Sequence, residues 1–338
     1  MAANGQELEM IKTQQEHLAL QSMGSFFVGG KPTSQSSIAL GEFTSAGNIT
    51  TGQMYVQYIK PSRLKDNFSF VMVHGMTLTG KTYETTPDGR MGWYEYFARK
   101  GHAAYVVDQM GFGRSGFDQS YFNEVRSGQS EPKSQPVFIR IPDENVWSLF
   151  RIGLVDGKKF NDGKFTSTSY RELSRQSIPF KPLSKADSIS NYNNLAELSS
   201  KLGNAIIISH SQSGDFPIGA ALRNNSGIKG AVIIEPGFVA TYSDEDIKKI
   251  AQTPILVIFG DHLDNPSKNS NFTWKLSYDG WKLFVERVAK SGGRAEMLYL
   301  PERGLKGNSH MVMQDDNNLE VADLILKWTD TIGSQHKL

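Results

Sequence analysis

The 338-residue sequence predicts an α/β fold, a doubly wound and mostly parallel sheet covered by helices. Three observations carry that expectation: short β-rich runs that are apolar on both faces, stretches of helical spacing between them, and a serine set between one such run and a small-residue helix. The runs are MYVQYI (54–59), FSFVMV (68–73), AAYVVD (103–108), AIIIS (205–209), AVIIE (231–235), ILVIF (255–259) and EMLYL (296–300). A strand that is apolar on both faces is buried on both, as in a parallel sheet with helices on each side. Helices are predicted between them at 91–100, 186–202, 214–224, 274–290 and 318–331. Asn317 is the expected cap of the last, with Glu320 three residues on and Val321, Ile325 and Trp328 at helical spacing. Strands alternating with helices give the doubly wound arrangement.

The stretch 117–185 interrupts this rhythm. It is rich in Ser, Gln, Lys and Pro, yet carries Trp147, Phe150, Phe160, Phe165, Tyr170 and Phe180. The expectation is a lid inserted into a single domain spanning 1–338; the competing reading is a solvated loop whose aromatics only anchor it.

Composition narrows the function. An apolar share of 38% is ample for a packed core, and 36 Lys plus Arg against 35 Asp plus Glu leave a net charge of +1. A near-neutral chain has no strong field for nucleic acid or an anionic membrane, so a small ligand is the expected partner. The absence of cysteine excludes disulfides, thiolate nucleophiles and iron–sulfur clusters. No apolar run reaches the roughly 18 residues of a membrane span, and the first twenty residues lack the apolar core of a signal peptide.

After AIIIS the chain reads Ser209-His210-Ser211-Gln212-Ser213-Gly214, then the small-residue segment Ile218-Gly219-Ala220-Ala221. A serine at the apex of a strand–turn–helix is the nucleophile elbow of the α/β-hydrolase fold, and the residues two before and two after it must be small because strand and helix backbones come close. Here both are Ser instead of Gly. Pro217 is compatible with a helix only near its first turn.

A serine hydroxyl needs a base, and the base needs an orienting acid. In this fold the order is Ser, acid, His, which leaves His262, His310 and His336 of the seven histidines. His310, in the Gly307-Asn308-Ser309-His310 loop between the last strand and last helix, is the expected base. For the acid, Glu235 and the pair Asp261 and Asp264 both follow strands, the latter at the commoner position. Asp261-His262-Leu263-Asp264 has no distant partner in the sequence that would make it a metal site, and no cofactor or metal is expected. Oxyanion donors are assigned to the backbone N–H groups of Met76, in the turn after FSFVMV, and Gln212, directly after the serine. The glycine-rich Asp108–Ser115 stretch is expected to shape a loop.

One motif points elsewhere. Gly75-Met76-Thr77-Leu78-Thr79-Gly80-Lys81-Thr82 matches the phosphate-binding pattern G-x-x-x-x-G-K-T after a strand. That chemistry requires Lys81 and Thr82 to open a helix, whereas Thr85-Thr86-Pro87-Asp88-Gly89 reads as a turn.

At these residues the chain resembles a small group of bacterial α/β-hydrolase esterases, first noted for cleaving esters of halogenated cyclic compounds. The matching segments are GSFFVGG (24–30), QMYV (53–56), Leu78 to Gly80, ETTPDGRMGW (84–93), SHSQSG (209–214), EPG (235–237), GDH (260–262) and GNSHMVMQDDNNLEVADLI (307–325); stretch 117–185 matches least. The resemblance implies Ser211, Glu235 and His310 as a triad and Met76 and Gln212 as oxyanion donors, so it favours Glu235 over Asp261. Two adjacent cysteines follow the His-Gly of this loop in the family's best-known form; Met76-Thr77 stand there here. Export is frequent in the family and a homodimer is compatible with it. The expected activity is hydrolysis of a carboxylic ester, with a lactone as the variant substrate; a nucleotide enzyme and a non-catalytic relative are the alternatives of other classes.

Overall fold

Two long strands open the described part of the chain, β1 (Leu20–Gln35) and β2 (Gly47–Pro61), paired antiparallel from Leu20↔Pro61 to Gln35↔Gly47. The computed structural model describes residues 11–12, 16–237, 239–268 and 272–333, so His336 lies outside the described residues. The next elements are β3 (Ser69–Val73), α1 (Trp93–Arg99) and β4 (Ala103–Asp108). Short helices α2 (Ser120–Arg126), α3 (Asp143–Leu149) and α4 (Tyr170–Arg175) precede the long α5 (Lys185–Leu202). The second half alternates regularly: β5 (Ala205–His210), α6 (Phe216–Ala221), β6 (Ile228–Ile234), α7 (Asp244–Ile250), β7 (Ile255–Phe259), α8 (Trp274–Lys290), β8 (Ala295–Tyr299) and α9 (Asn318–Gly333).

Among the described residues eight strands form one sheet, ordered β1-β2-β4-β3-β5-β6-β7-β8. β2 meets β4 antiparallel, and every pair from β4 to β8 is parallel. Val73 pairs with Ser209, His210 with Ile234, and Ile234 with Ile258, so β3, β5, β6 and β7 end together at one edge. In an open α/β sheet that carboxyl edge is where ligands bind.

Side chains alternate across the sheet with a period of two and divide the core. Phe70, Met72, Ile206, Ile208, Val232 and Ile258 pack with Trp93 of α1 and Ile325 and Trp328 of α9. On the other face Val71, Val73 and Ile207 meet Leu195 of α5 and Phe216 of α6, while Ile233, Val257 and Phe259 meet Trp281 and Phe284 of α8. Pro217 falls in the first turn of α6, where its missing N–H costs nothing.

One expectation is corrected and one strand was not foreseen. Asn317 directly precedes α9 and its carbonyl accepts the Val321 N–H at 3.3 Å, but its side chain pairs with Asn308 instead of capping the helix: Asn308 Nδ2 donates to Asn317 Oδ1 at 2.7 Å and Asn317 Nδ2 to Asn308 Oδ1 at 3.2 Å. The strand β1 had no counterpart in the apolar runs, because Met23 and Phe27 point to its exposed side and blur the alternation. The phosphate-loop match fails as its turn signals foretold: Gly80–Tyr83 is a single 3₁₀ turn, and Lys81 Nζ bends back to the Thr85 carbonyl at 2.6 Å.

Stretch 117–185 leaves the sheet after β4 and returns at α5. It pairs with itself at Ile139↔Phe180 and Gly153↔Lys159. Phe150, Phe165, Leu173 and Phe180 are buried, the first three within the core that α1 and α9 share.

Candidate active site

The site grows from the ends of β3, β5, β6 and β7. β5 stops at His210, and Ser211 takes a left-handed backbone, φ +56°, at the start of a tight turn. That conformation is strained for a residue with a Cβ and projects the side chain off the sheet edge. The turn is clamped by Gly214 N–H and Gly237 N–H, which donate to the Ser211 carbonyl at 3.0 and 3.1 Å. A Cβ on Gly214 would lie 2.5 Å from Pro236 Cβ, so the turn and the loop after β6 touch only because residue 214 is glycine.

The loop after β3 lies against this turn. A Cβ on Gly75 would sit 2.9 Å from Ser211 Cβ and 3.0 Å from His210 Nδ1, so the loop backbone at Gly75 abuts the serine turn. No acceptor among the described residues takes the Met76 N–H. His74 anchors the loop: its Nε2 accepts the Gln109 N–H at 3.0 Å, so the ring's proton is on Nδ1, which donates to the Gly75 carbonyl at 2.8 Å. Burial holds His74 down at about 4, hence neutral.

His310 and Glu235 meet in the interior, both fully buried. His310 Nδ1 donates to Glu235 Oε2 at 3.1 Å, which fixes the neutral tautomer with its lone pair on Nε2. Nε2 has no hydrogen-bond partner among the described residues. Burial lowers the His310 pKa against the pull of Glu235, and Arg151 lowers it further. The ring is stacked on Trp274, 4.1 Å between centroids, and lies 4.6 Å from the ring of His210, whose Nε2 donates to the His310 carbonyl at 2.9 Å. Glu235 has φ +48° and offers Oε1 to the Gly260 N–H and to Arg151 Nη2, the latter at 2.6 Å. Burial would raise its carboxyl, but Arg151 and His310 outweigh it and hold the pKa at about 2.

The His310 loop is pinned by a buried network. Asp315 accepts from Ser309 N, Ser309 Oγ and Asn308 Nδ2 within 3.0 Å. Asp261 accepts from Gly307 N at 2.9 Å and His262 N at 2.7 Å, so it braces the loop without touching His310; Asp264 is exposed. Of the three carboxylates weighed from sequence, Glu235 is the one hydrogen-bonded to His310.

No protein-family model matches the sequence. A solved bacterial esterase is similar over 95% of this chain and 98% of its own, at 39% identity and a TM-score of 0.87. The chain belongs to the α/β-hydrolase family of carboxylic ester hydrolases. Over 328 residues it is also 26% identical to a fungal protein described as probable secreted lipase phiG, from Fungal sp. (strain ATCC 74256), covering 85% of this chain and 88% of that one. No described helix of this hydrolase is long and apolar enough to cross a membrane.

Several residues of this hydrolase's site escaped the sequence. Arg151, Phe150 and Trp274 surround the Glu235–His310 pair, and His210 and His74 support the serine and the β3 loop. The two histidines lay next to motif residues and could have been read as supports; nothing in the sequence marks Arg151. The expectation that Asp261 and His262 lack a distant partner is corrected as well. Asp162 reaches His262 Nε2 at 3.0 Å, and ligand atoms of Asp162, Asp261 and His262 lie within 4.8 Å of one another, with Phe160 stacked on the imidazole.

Proposed function

We propose that the chain hydrolyses a carboxylic ester through an acyl-enzyme, with Ser211 as nucleophile, His310 as general base and acid, Glu235 as orienting acid, and the N–H groups of Met76 and Gln212 as oxyanion donors. The observation that carries this reading is the His310 imidazole, buried, held by Glu235 at Nδ1 and unpartnered at Nε2, in the loop that faces a strained serine turn. Ser211 Oγ attacks the ester carbonyl carbon while its proton passes to His310 Nε2. The tetrahedral oxyanion rests on the two N–H groups, and its collapse expels the alcohol, which takes the proton from His310. Water, deprotonated by the same Nε2, then attacks the acyl-enzyme and frees the acid and Ser211. Glu235 keeps the imidazole in the required tautomer and stabilises its charged form.

A cyclic or aromatic ester is the substrate class we infer, and stretch 117–185 is the lid that selects it: Phe150 from that stretch packs on His310 at 5.0 Å. The fungal relative is described as secreted, and export is the localisation we extend from it to this chain.

A fluorophosphonate probe tests the central claim without knowledge of the substrate. Expected is a single label on Ser211, together with a loss on the order of 10⁴-fold or more in turnover of aryl esters for Ser211→Ala. Labelling elsewhere, or an active alanine variant, would sink it.

A further inference from the structure

Three consecutive residues of stretch 117–185, the last of α3 and the two after it, enclose the Glu235–His310 pair. The Leu149 carbonyl accepts from Trp274 Nε1 at 2.6 Å, and Trp274 is the ring stacked on His310. The Phe150 carbonyl accepts the His310 backbone N–H at 2.8 Å. Arg151 sends Nη2 to Glu235 Oε1 and Nε to the Asp261 carbonyl, each at 2.6 Å. Its side chain is fully buried, its φ is +53°, and its guanidinium lies 5.6 Å over the Trp274 ring.

A buried guanidinium is costly to desolvate, and exchanging a buried ion pair for apolar side chains is often neutral or stabilising. Stability alone therefore does not account for an arginine at this spot in a left-handed backbone. Geometry does offer an account. Arg151 and the Gly260 N–H together occupy Oε1, so the carboxylate cannot rotate away and Oε2 stays on Nδ1 of His310.

We propose that Arg151 is a positioning residue for the reaction: anchored on the Asp261 carbonyl, it locks the Glu235 carboxylate toward His310 and uses its charge to keep His310 unprotonated, so that the covering stretch completes the base. This rests on the triad reading given above. Among the described residues the charged and titratable groups facing His310 are few. Glu235 comes from the end of β6, Arg151 from beyond α3 and His210 from the end of β5, while Phe150 and Trp274 are uncharged. Burial together with the neighbouring His310 and His74 drives His210 well below the ordinary histidine value, so it stays neutral. Burial is the first influence on His310 and disfavours its charged form; upon it act two charges of opposite sign, Glu235 and Arg151. Removing Arg151 abolishes a repulsion and frees the full attraction of Glu235; both changes favour imidazolium and raise the pH at which the base becomes available.

The test is the pH profile of kcat/KM on an aryl ester for the full chain and for Arg151→Met and Arg151→Lys. Arg151→Met should move the acid limb up by about one pH unit or more. Arg151→Lys keeps the charge but not the two-point grip, so its limb should stay within about 0.3 unit of the parent while kcat falls about tenfold. An unmoved or lowered limb in the methionine variant overturns the proposal. Should that variant fail to fold, the lysine variant decides: a limb displaced by a unit, or a kcat equal to the parent's, overturns it. Fluorophosphonate labelling of the parent in parallel separates the two readings. An unlabelled Ser211 in the parent defeats the triad; a labelled parent with an unmoved methionine profile defeats only the role of Arg151.

Discussion

Glu235 is the residue on which the site's charge balance turns. Its two oxygens face different donors, Nδ1 of His310 on one side and Arg151 with the Gly260 N–H on the other. A glutamine has one acceptor oxygen, so Glu235→Gln must leave one set of donors facing an NH₂ group. The expected loss in kcat is at least about a hundredfold, measured at a temperature where the variant is shown to be fully folded, because unpairing the Arg151 charge can itself cost about 3–5 kcal/mol. Asp261→Asn should lose less, since among the described residues the Asp261 carboxylate accepts only from backbone N–H groups and the Tyr299 hydroxyl, and the carbonyl that holds Arg151 is unchanged by the substitution. A larger effect at Asp261 would return the acid to the commoner strand. The proposed base makes its own prediction. Burial is the largest influence on His310 and lowers its pKa from 6.5, with Arg151 acting the same way and Glu235 opposing. The neutral, competent form therefore persists to more acidic pH, and the acid limb of kcat/KM should have its midpoint below 6.5; a midpoint at or above that value contradicts the burial argument. From sequence, the turn at Ser211 and the loop that carries His310 were legible as candidate positions because a strand–turn–helix and a loop position are local patterns. Choosing Glu235 needed the family resemblance, since residue reading alone left three carboxylates open.

Between residues and fold stand the contacts that bring one loop against another. The β3 loop reaches Ser211 through Gly75, where an added Cβ would fall 2.9 Å from Ser211 Cβ and 3.2 Å from the His210 carbonyl. Gly75→Ala must push the loop away from the serine turn, withdrawing Met76 from its place. We expect kcat for aryl esters to fall at least about tenfold with KM little changed, the signature of a contact made only in the transition state; an equal rise in KM would instead implicate the substrate pocket. Helices α5 and α8 and strands β4 and β7 agree with their sequence expectations to within a residue, being long or uniformly apolar. Helices α2, α3, α4 and α7 had no counterpart. Each spans two turns or fewer, too few for a hydrophobic period to register, although the capping box of Ser243 and Asp246 was a readable signal for α7.

For the molecule as a whole, acid is the stress to which the buried pair responds. Glu235 is depressed from 4.5 to about 2, so its ionised form contributes stability that is fully present above the ordinary value and lost as pH falls through about 2. The gap in Tm between the parent and Glu235→Gln should accordingly narrow as pH is lowered from about 5 to about 2. A gap that stays constant or widens there would mean that Glu235 is not held ionised by Arg151.

What the sequence determined by itself was whatever is written locally: the doubly wound sheet, from runs apolar on both faces; the serine turn, from small residues between a strand and a helix; and the histidine loop before the last helix. The failure of the phosphate-loop match belongs here too, since turn residues follow Lys81 directly. The tertiary structure alone decided which distant groups meet. Arg151 reaches Glu235 across 84 positions of sequence and Asp162 reaches His262 across 100. Such pairings arise from the way stretch 117–185 is folded onto the carboxyl edge of the sheet. A lone arginine or aspartate carries no period and no spacing that a sequence could display.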